Sequence, residues 1–339
     1  VSRKWVAFAL ALTVIFSLLA GCSSAGSKGG FKVGMSTDIG GLNDDSFNAS
    51  AWRGLNKAHS DLGAEIKAVE SKRNEDYEVN FRTLMDLKYD LIWGIGFLMH
   101  DAVDGLAKAN PNQKFAIIDS VVENRPNVAS VVFKEEEGSF LMGVMAAKTT
   151  KSKVVGFVGG MDFDVIHHFE GGFKAGVKAV DPSIKVITVY SGKFDDPVKG
   201  KSDALSIISQ GADVIFHAAG FTGKGVIEAC AEKKVFAIGV DSDQNALAPD
   251  WVISSMMKQV DNAVFSVSKA AKEGKFQGGQ VVVMGLKEGG VGYAPKTLWA
   301  KMPSDTKALV DKWADAIKGG KVTVPNDAKK FESWSVPKI

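Results

Sequence analysis

Hydrogen-bond acceptors and phenylalanines recur where β-rich runs give way to loops. After Phe31–Ser36 come Asp38, Asn43, Asp44, Asp45, Phe47 and Asn48. Gly94-Ile95-Gly96-Phe97 ends another run, and Asp119-Ser120 ends the next. In the second half, Gly159-Gly160-Met161-Asp162-Phe163 leads to His167, His168 and Phe169. Further on stand Ala218-Ala219-Gly220-Phe221-Thr222-Gly223, Val240-Asp241-Ser242-Asp243 and Ser254-Ser255-Met256-Met257-Lys258. Carboxylates suit vicinal hydroxyls or ring N–H groups, which donate to them. Phenylalanine faces stack on flat rings, and glycine lets backbone approach a ligand closely. Together these residue types describe a pocket for a neutral, polar molecule with a flat ring, such as a nucleoside. A phosphate would meet Asp44 and Asp45 at the start of a helix and be repelled, so nucleotides fit poorly.

Each residue also has a purely structural use. Asp45 or Ser46 suits a helix N-cap, Phe47 a core position beneath the loop, and Asp119 and Asp241 the caps of following turns. On sequence alone Lys258 fits a surface. His167-His168 lacks a second spaced pair among the 5 histidines, so no metal is expected. GFTGKG is not a phosphate loop, because Ala218 replaces the first glycine and Gly225 stands where Ser or Thr would bind magnesium. There is no GxSxG or HExxH and no dinucleotide fingerprint, so neither a cofactor nor catalysis is expected. A nucleoside hydrolase would have to cast Asp44, Asp45 and Asp241 as acid and base.

Short β-rich runs alternate with helical stretches. The runs are Phe31–Ser36, Glu65–Val69, Asp90–Ile95, Lys114–Asp119, Val128–Phe133, Val154–Val158, Ile184–Tyr190, Val214–His217 and Val235–Asp241. Trp52, Leu55 and Ala58 make one helical face, and Val260, Val264, Val267 and Ala271 another. Strands followed by helices of about ten to fifteen residues indicate βαβ units and parallel sheets. A charged break at Lys134–Gly138 (KEEEG) separates two sets of units, which predicts an α/β protein of two doubly wound lobes. In such sheets ligands sit at the carboxyl ends of the strands.

The first twenty-two residues read as a leader. Arg3 and Lys4 precede an apolar run from Trp5 to Ala20 that is short for a membrane span. It ends in Leu18-Leu19-Ala20-Gly21-Cys22, which looks like a bacterial lipobox with Cys22 as the lipidated residue, and residues 23–30 read as a flexible tether. Without Arg3 and Lys4 the 41 basic residues become 39 against 39 acidic ones. A neutral chain argues against nucleic acid as a partner. Cys230 is then the sole thiol and reads as a buried helix residue.

The lipobox followed by GGLNDDSFNASAWRGL, GIGF, FAIIDS, NVASVVFKEEEGSFLMGVMAA, VGFVGGMD, GADVIFHAAG, IGVDSDQ and SSMMK resembles the basic membrane lipoprotein family, from about Phe31 to about Pro295. These are substrate-binding lipoproteins of ABC importers whose type member is a purine nucleoside receptor. The resemblance implies a type I periplasmic-binding-protein fold with two lobes joined by a three-segment hinge. Residues 31–134 and 257–286 would form the N-terminal lobe, and 135–256 and 287–339 the C-terminal lobe. It also implies a monomer that closes around a purine nucleoside and serves a permease. Asp45, Phe47 and Asn48 would hold the base, with Phe169 as the opposing plate and Phe163 as its alternative. Asp119, Asp241 and Lys258 would hold the ribose and Gly220 would give a backbone contact. Asp38, Asp44, Gly96, Phe97 and Phe221 are further candidates, Phe221 standing where a small residue is expected. A sugar or sugar-derived signal is the alternative ligand on the same fold.

Overall fold

The structure is a computed structural model and describes residues 30–339, so the leader, Cys22 and the tether up to residue 29 lie outside the described residues. β1 (Lys32–Ser36), β2 (Glu65–Val69), β3 (Leu91–Ile95), β4 (Lys114–Ile118), β5 (Val128–Phe133) and β11 (Val281–Met284) build one sheet. Its order is β2-β1-β3-β4-β5-β11, and every pairing is parallel. β6 (Val154–Gly159), β7 (Lys185–Tyr190), β8 (Val214–Ala218), β9 (Phe236–Asp241), β10 (Val252–Lys258) and β12 (Val291–Tyr293) build the second. That sheet runs β7-β6-β8-β9-β10-β12, parallel except for the β10–β12 pair. All residues of β3 and β8 are buried, as expected for strands covered by helices on both faces. In both sheets the strand order reverses beside the first strand, at β1/β3 and β6/β8, where loops of doubly wound sheets diverge and leave a crevice. This is the α/β, doubly wound fold.

The helices that carry site residues are fixed by their neighbours. α1 (Phe47–Leu62) buries Ala51, Leu55 and Ala58 and packs on α8 (Val260–Lys272). α4 (Glu135–Thr149) is buried along most of its length, as a helix enclosed on all sides must be. It crosses α5 (Asp164–Val180) so closely that a Cβ on Gly143 would stand 2.1 Å from the Phe173 carbonyl, and one on Gly176 2.0 Å from that of Phe140. No other residue fits there. The crossing fixes Glu135 at the start of α4 against His168 and Phe169 on α5. Between these helices and the C-terminus, α6 (Pro197–Ser209) and α7 (Thr222–Lys233) cover the second sheet, and Cys230 of α7 is fully buried.

The chain passes between sheets after Phe133, after Lys258 and between Met284 and Val291. Met257 and Lys258 were expected in the first lobe, but they end β10, paired with Gly292 and Val291 of the second sheet. The connections are stitched together. Lys134 N–H donates to Met284 O (3.1 Å), Gln259 N–H to Gly290 O (2.8 Å), and Leu286 N–H to Glu137 Oε2 (2.8 Å). α9 (Thr306–Lys318) sets Trp313 on Phe140 of α4, with ring centroids 5.0 Å apart. Among the described residues no helix is long and apolar enough to cross a membrane.

Candidate ligand-binding site

The carboxyl ends of both sheets face one cavity, lined by residues from both. The first sheet contributes Asp38 after β1, Gly96 and Phe97 after β3, and Asp119 after β4. The second contributes Val165, Ile166 and Phe169 after β6, Gly220 and Phe221 after β8, Asp241 at the end of β9 and Lys258 at the end of β10. Gly96 holds φ at 118°, a backbone conformation that residues with side chains rarely adopt, where the chain passes the Phe47 ring and the Asp38 carboxylate.

Asp119 and Asp241 both take the left-handed backbone region, with φ at 63° and 62°. That conformation is strained for a residue with a side chain and concentrates at functional sites. Both side chains are buried. Burial pushes Asp119 up to about 7 against the lowering pull of Lys258. It pushes Asp241 up to about 6, with Lys258 and a hydrogen bond from Ser46 opposing it. Asp119 Oδ1 and Asn48 Oδ1 are buried acceptors without a protein partner, the condition a bound donor would relieve.

Lys258 is enclosed rather than exposed. Its ammonium lies 2.6 Å from Asp119 Oδ2 and 2.8 Å from Glu135 Oε1, the second contact being an ion pair off the hydrogen-bonding direction. The rings of Phe47, Phe133 and Phe169 surround it at 5.3, 5.1 and 5.4 Å from their centroids, within cation–π range. Burial pulls the lysine down, but Asp119, Glu135 and Asp241 outweigh it and keep the ammonium charged. Glu135 is buried too, and its other oxygen lies 3.3 Å from His168 Nδ1. Burial raises Glu135, yet Lys258 and His168 together hold it below the usual carboxylate range. Burial lowers His168, and Glu135 overcomes that to bring it above the usual histidine range.

The loop before α1 differs from the expectation. The cap of this helix is Asp44, neither Asp45 nor Ser46. Its Oδ1 accepts from the N–H groups of Ser46 and Ala49 (both 2.9 Å), and its Oδ2 from that of Asn48 (2.8 Å). Ser46 makes no side-chain cap bond. Burial lifts Asp44 to about 6 and these N–H groups oppose the rise. Asp38 is likewise lifted by burial to about 6, while Asn48 donates to it at 2.7 Å. Asp45 does not line the cavity. Its side chain is 57% exposed and pairs at 2.5 Å with Lys224 of the second lobe, because its left-handed backbone (φ 51°) turns it away from the helix axis that Asp44 caps.

Ser46 reaches across instead, its hydroxyl 2.5 Å from Asp241 Oδ2. Ser242 Oγ donates to Ser46 O (3.1 Å), and Gln244 Nε2 to Asp45 O (3.2 Å). The two lobes therefore touch at this rim.

Phe47, Phe97, Phe169, Phe194 and Phe221 line the cavity. Phe163 lies outside it, 42% exposed, with its ring 5.0 Å from that of Phe97. Phe194 and Glu135 escaped the sequence reading. Phe194 follows β7, so the strand-end rule already pointed to it. For Glu135 the only local signal was its place in a charged run. Glu135, Glu136 and His168 bring possible metal-ligating atoms within 4.8 Å of one another, but Lys258 already neutralises Glu135. The cavity's acids, Asp38, Asp44, Asp119 and Asp241, face a single lysine among its lining residues, a balance that disfavours anions.

Residues 31–324 match the family described as ABC transporter substrate-binding protein PnrA-like. A Listeria monocytogenes protein named CD4+ T-cell-stimulating antigen is 39% identical over 94% of this chain and 98% of its own. A Lactococcus lactis protein named ABC transporter nucleoside-binding protein BmpA is 38% identical over 94% of this chain and 97% of its own. A crystal structure of an ABC transporter solute-binding protein from Aeropyrum pernix superimposes with a TM-score of 0.82 at 29% identity, covering 89% of this chain and 96% of that one. The fold, the cleft between its lobes and these matches agree, and the chain belongs to the PnrA-like family of ABC transporter substrate-binding proteins, which are not enzymes.

Proposed function

We propose that this chain captures a purine nucleoside outside the cytoplasmic membrane and delivers it to an ABC permease. The observation that carries this reading is the pairing of buried, unpartnered acceptors on Asp119 and Asn48 with five phenylalanines around one cavity. Vicinal ribose hydroxyls donate to Asp119 and Asp241, and the base stacks on Phe47 with Phe169 across from it. Asn48 and Asp38 accept from the edge of the base. Lobe closure completes contacts from both sides, and the Ser46–Asp241 bond forms part of the closed rim. The name of the Lactococcus relative supports a nucleoside ligand. A lipid on Cys22 would hold the protein at the membrane, and Cys22→Ser would then release it from the membrane fraction.

The test is a titration of the chain lacking residues 1–22, following melting temperature with adenosine, guanosine, inosine, cytidine and ribose. Ligand at about a hundred times its Kd adds about 2.7 kcal/mol of stability. A shift with purine nucleosides that exceeds that of cytidine and ribose is expected. A shift with ribose alone would overturn the reading in favour of a sugar.

A further inference from the structure

An ammonium in a binding cavity ordinarily attracts anions, yet here its protons are largely committed. Asp119 takes one at 2.6 Å, Glu135 lies 2.8 Å away on the hinge side, and three phenyl rings close the remaining directions. Glu135 is not among the residues lining the cavity. It stands at the first crossing between lobes and Lys258 at the second, so their pair also ties two hinge segments. His168 of α5 meets the other Glu135 oxygen at 3.3 Å and fixes the orientation of the carboxylate. Without Glu135, Lys258 would share its charge between Asp119 and the cavity.

We propose that Glu135 is a positioning residue that sets the charge selectivity of the site, holding the positive charge of Lys258 on the hinge side so that neutral ligands are accepted and anionic ones refused. The inference rests on the nucleoside reading above.

The experiment compares Kd for a purine nucleoside and its 5′-monophosphate in the wild type, Glu135→Gln, Glu135→Asp and Glu137→Gln. Glu137 serves as control, because it stitches the hinge through Leu286 N–H without facing Lys258. Glu135→Gln should move the nucleoside-to-monophosphate preference about tenfold or more toward the anion. Glu135→Asp should restore most of the wild-type preference, and Glu137→Gln should change stability alone. An unchanged preference in Glu135→Gln, or an equal change in Glu137→Gln, overturns the inference. A wild type that binds no nucleoside overturns the functional reading instead. Should Glu135→Gln not fold, His168→Gln, which removes the group that orients the Glu135 carboxylate, must shift preference toward the monophosphate. No shift there also overturns the proposal.

Discussion

Asp119 in the first lobe and Asp241 in the second occupy matching places: a strand end, a left-handed backbone, a buried carboxylate aimed at one cavity. They are compensated differently. The partner of Asp119 is Lys258, a cation at the end of β10 enclosed by aromatic rings. Asp241 feels Lys258 only through its field, and takes its direct hydrogen bond from the Ser46 hydroxyl of the opposite lobe. One acid thus has a direct cationic partner, and the other a neutral donor from across the rim. Under the lobe closure proposed above, the first contact would be permanent and the second conditional.

The largest effect should come from removing the permanent compensation. Lys258→Met leaves Asp119 and Glu135 buried without their cation, which should cost the unliganded fold about 3–5 kcal/mol in urea unfolding and abolish binding. A loss below about 1 kcal/mol, the range of a surface pair, would show that Lys258 is not structurally committed. Removing the conditional acid should act on binding alone. Asp241→Asn should weaken nucleoside binding about tenfold or more, about 1.4 kcal/mol, while leaving the melt of the free protein unchanged or higher. Unfolding of this variant at room temperature would place Asp241 with Asp119 as a structural group.

Acidity should separate free from bound protein. Carboxyls raised to about 6 on Asp38, Asp44 and Asp241, and to about 7 on Asp119 and Glu136, favour folding most when protonated. Their contribution is complete below the unfolded values near 4 and fades as pH rises through about 6–7. His168, raised above its usual range, has the same sign. His217, lowered by burial to about 4, has the opposite sign, because the unfolded imidazole takes its proton first as pH falls. Carboxyls held low, such as Glu135 and Glu170, also oppose them but lose their contribution mostly below pH 5, so the free protein should melt higher at pH 5 than at pH 7. Nucleoside affinity should fall over the same interval as Asp119 and Asp241 lose charge. A melting temperature that drops with acid would contradict the balance.

The smallest effects lie at the rim. Ser46→Ala should raise Kd about fivefold, as expected for a hydrogen bond of about 1 kcal/mol, and chiefly through a faster off-rate. Asp45→Ala should change Kd less than about threefold and lose even that in high salt, since its pair with Lys224 is exposed. A large loss in Asp45→Ala would return that residue to the base contact its motif suggests.

Much of the fold was legible because apolar runs alternate with helical faces at fixed periods. All nine strands read from the sequence are present within about two residues at each end. The three that escaped, β10, β11 and β12, adjoin the later crossings between sheets. Val252–Lys258 was read as loop because Ser254 and Ser255 break its apolar run, and Val281–Met284 and Val291–Tyr293 are short segments stabilised by distant partners. In the site, strand-end position singled out Asp119 and Asp241, whereas Lys258 read as a surface residue on sequence alone and entered only through the family resemblance; all three line the cavity. The same rule cannot choose between Asp44 and Asp45, because capping is decided by one backbone dihedral. Nor can it pair Glu135 with Lys258, since that contact depends on two crossings of the chain returning to one place.

Cys230 has a practical consequence. Burial pushes its thiol above the ordinary range and leaves it inaccessible to reagents. A chain that begins after Cys22 therefore has no reactive sulfur. A single Asp164→Cys, at a fully exposed position beside the cavity-lining Val165, would take a maleimide dye at one place only. Its emission would report ligand capture in real time, so the molecule can serve as an optical sensor without further cysteine removal.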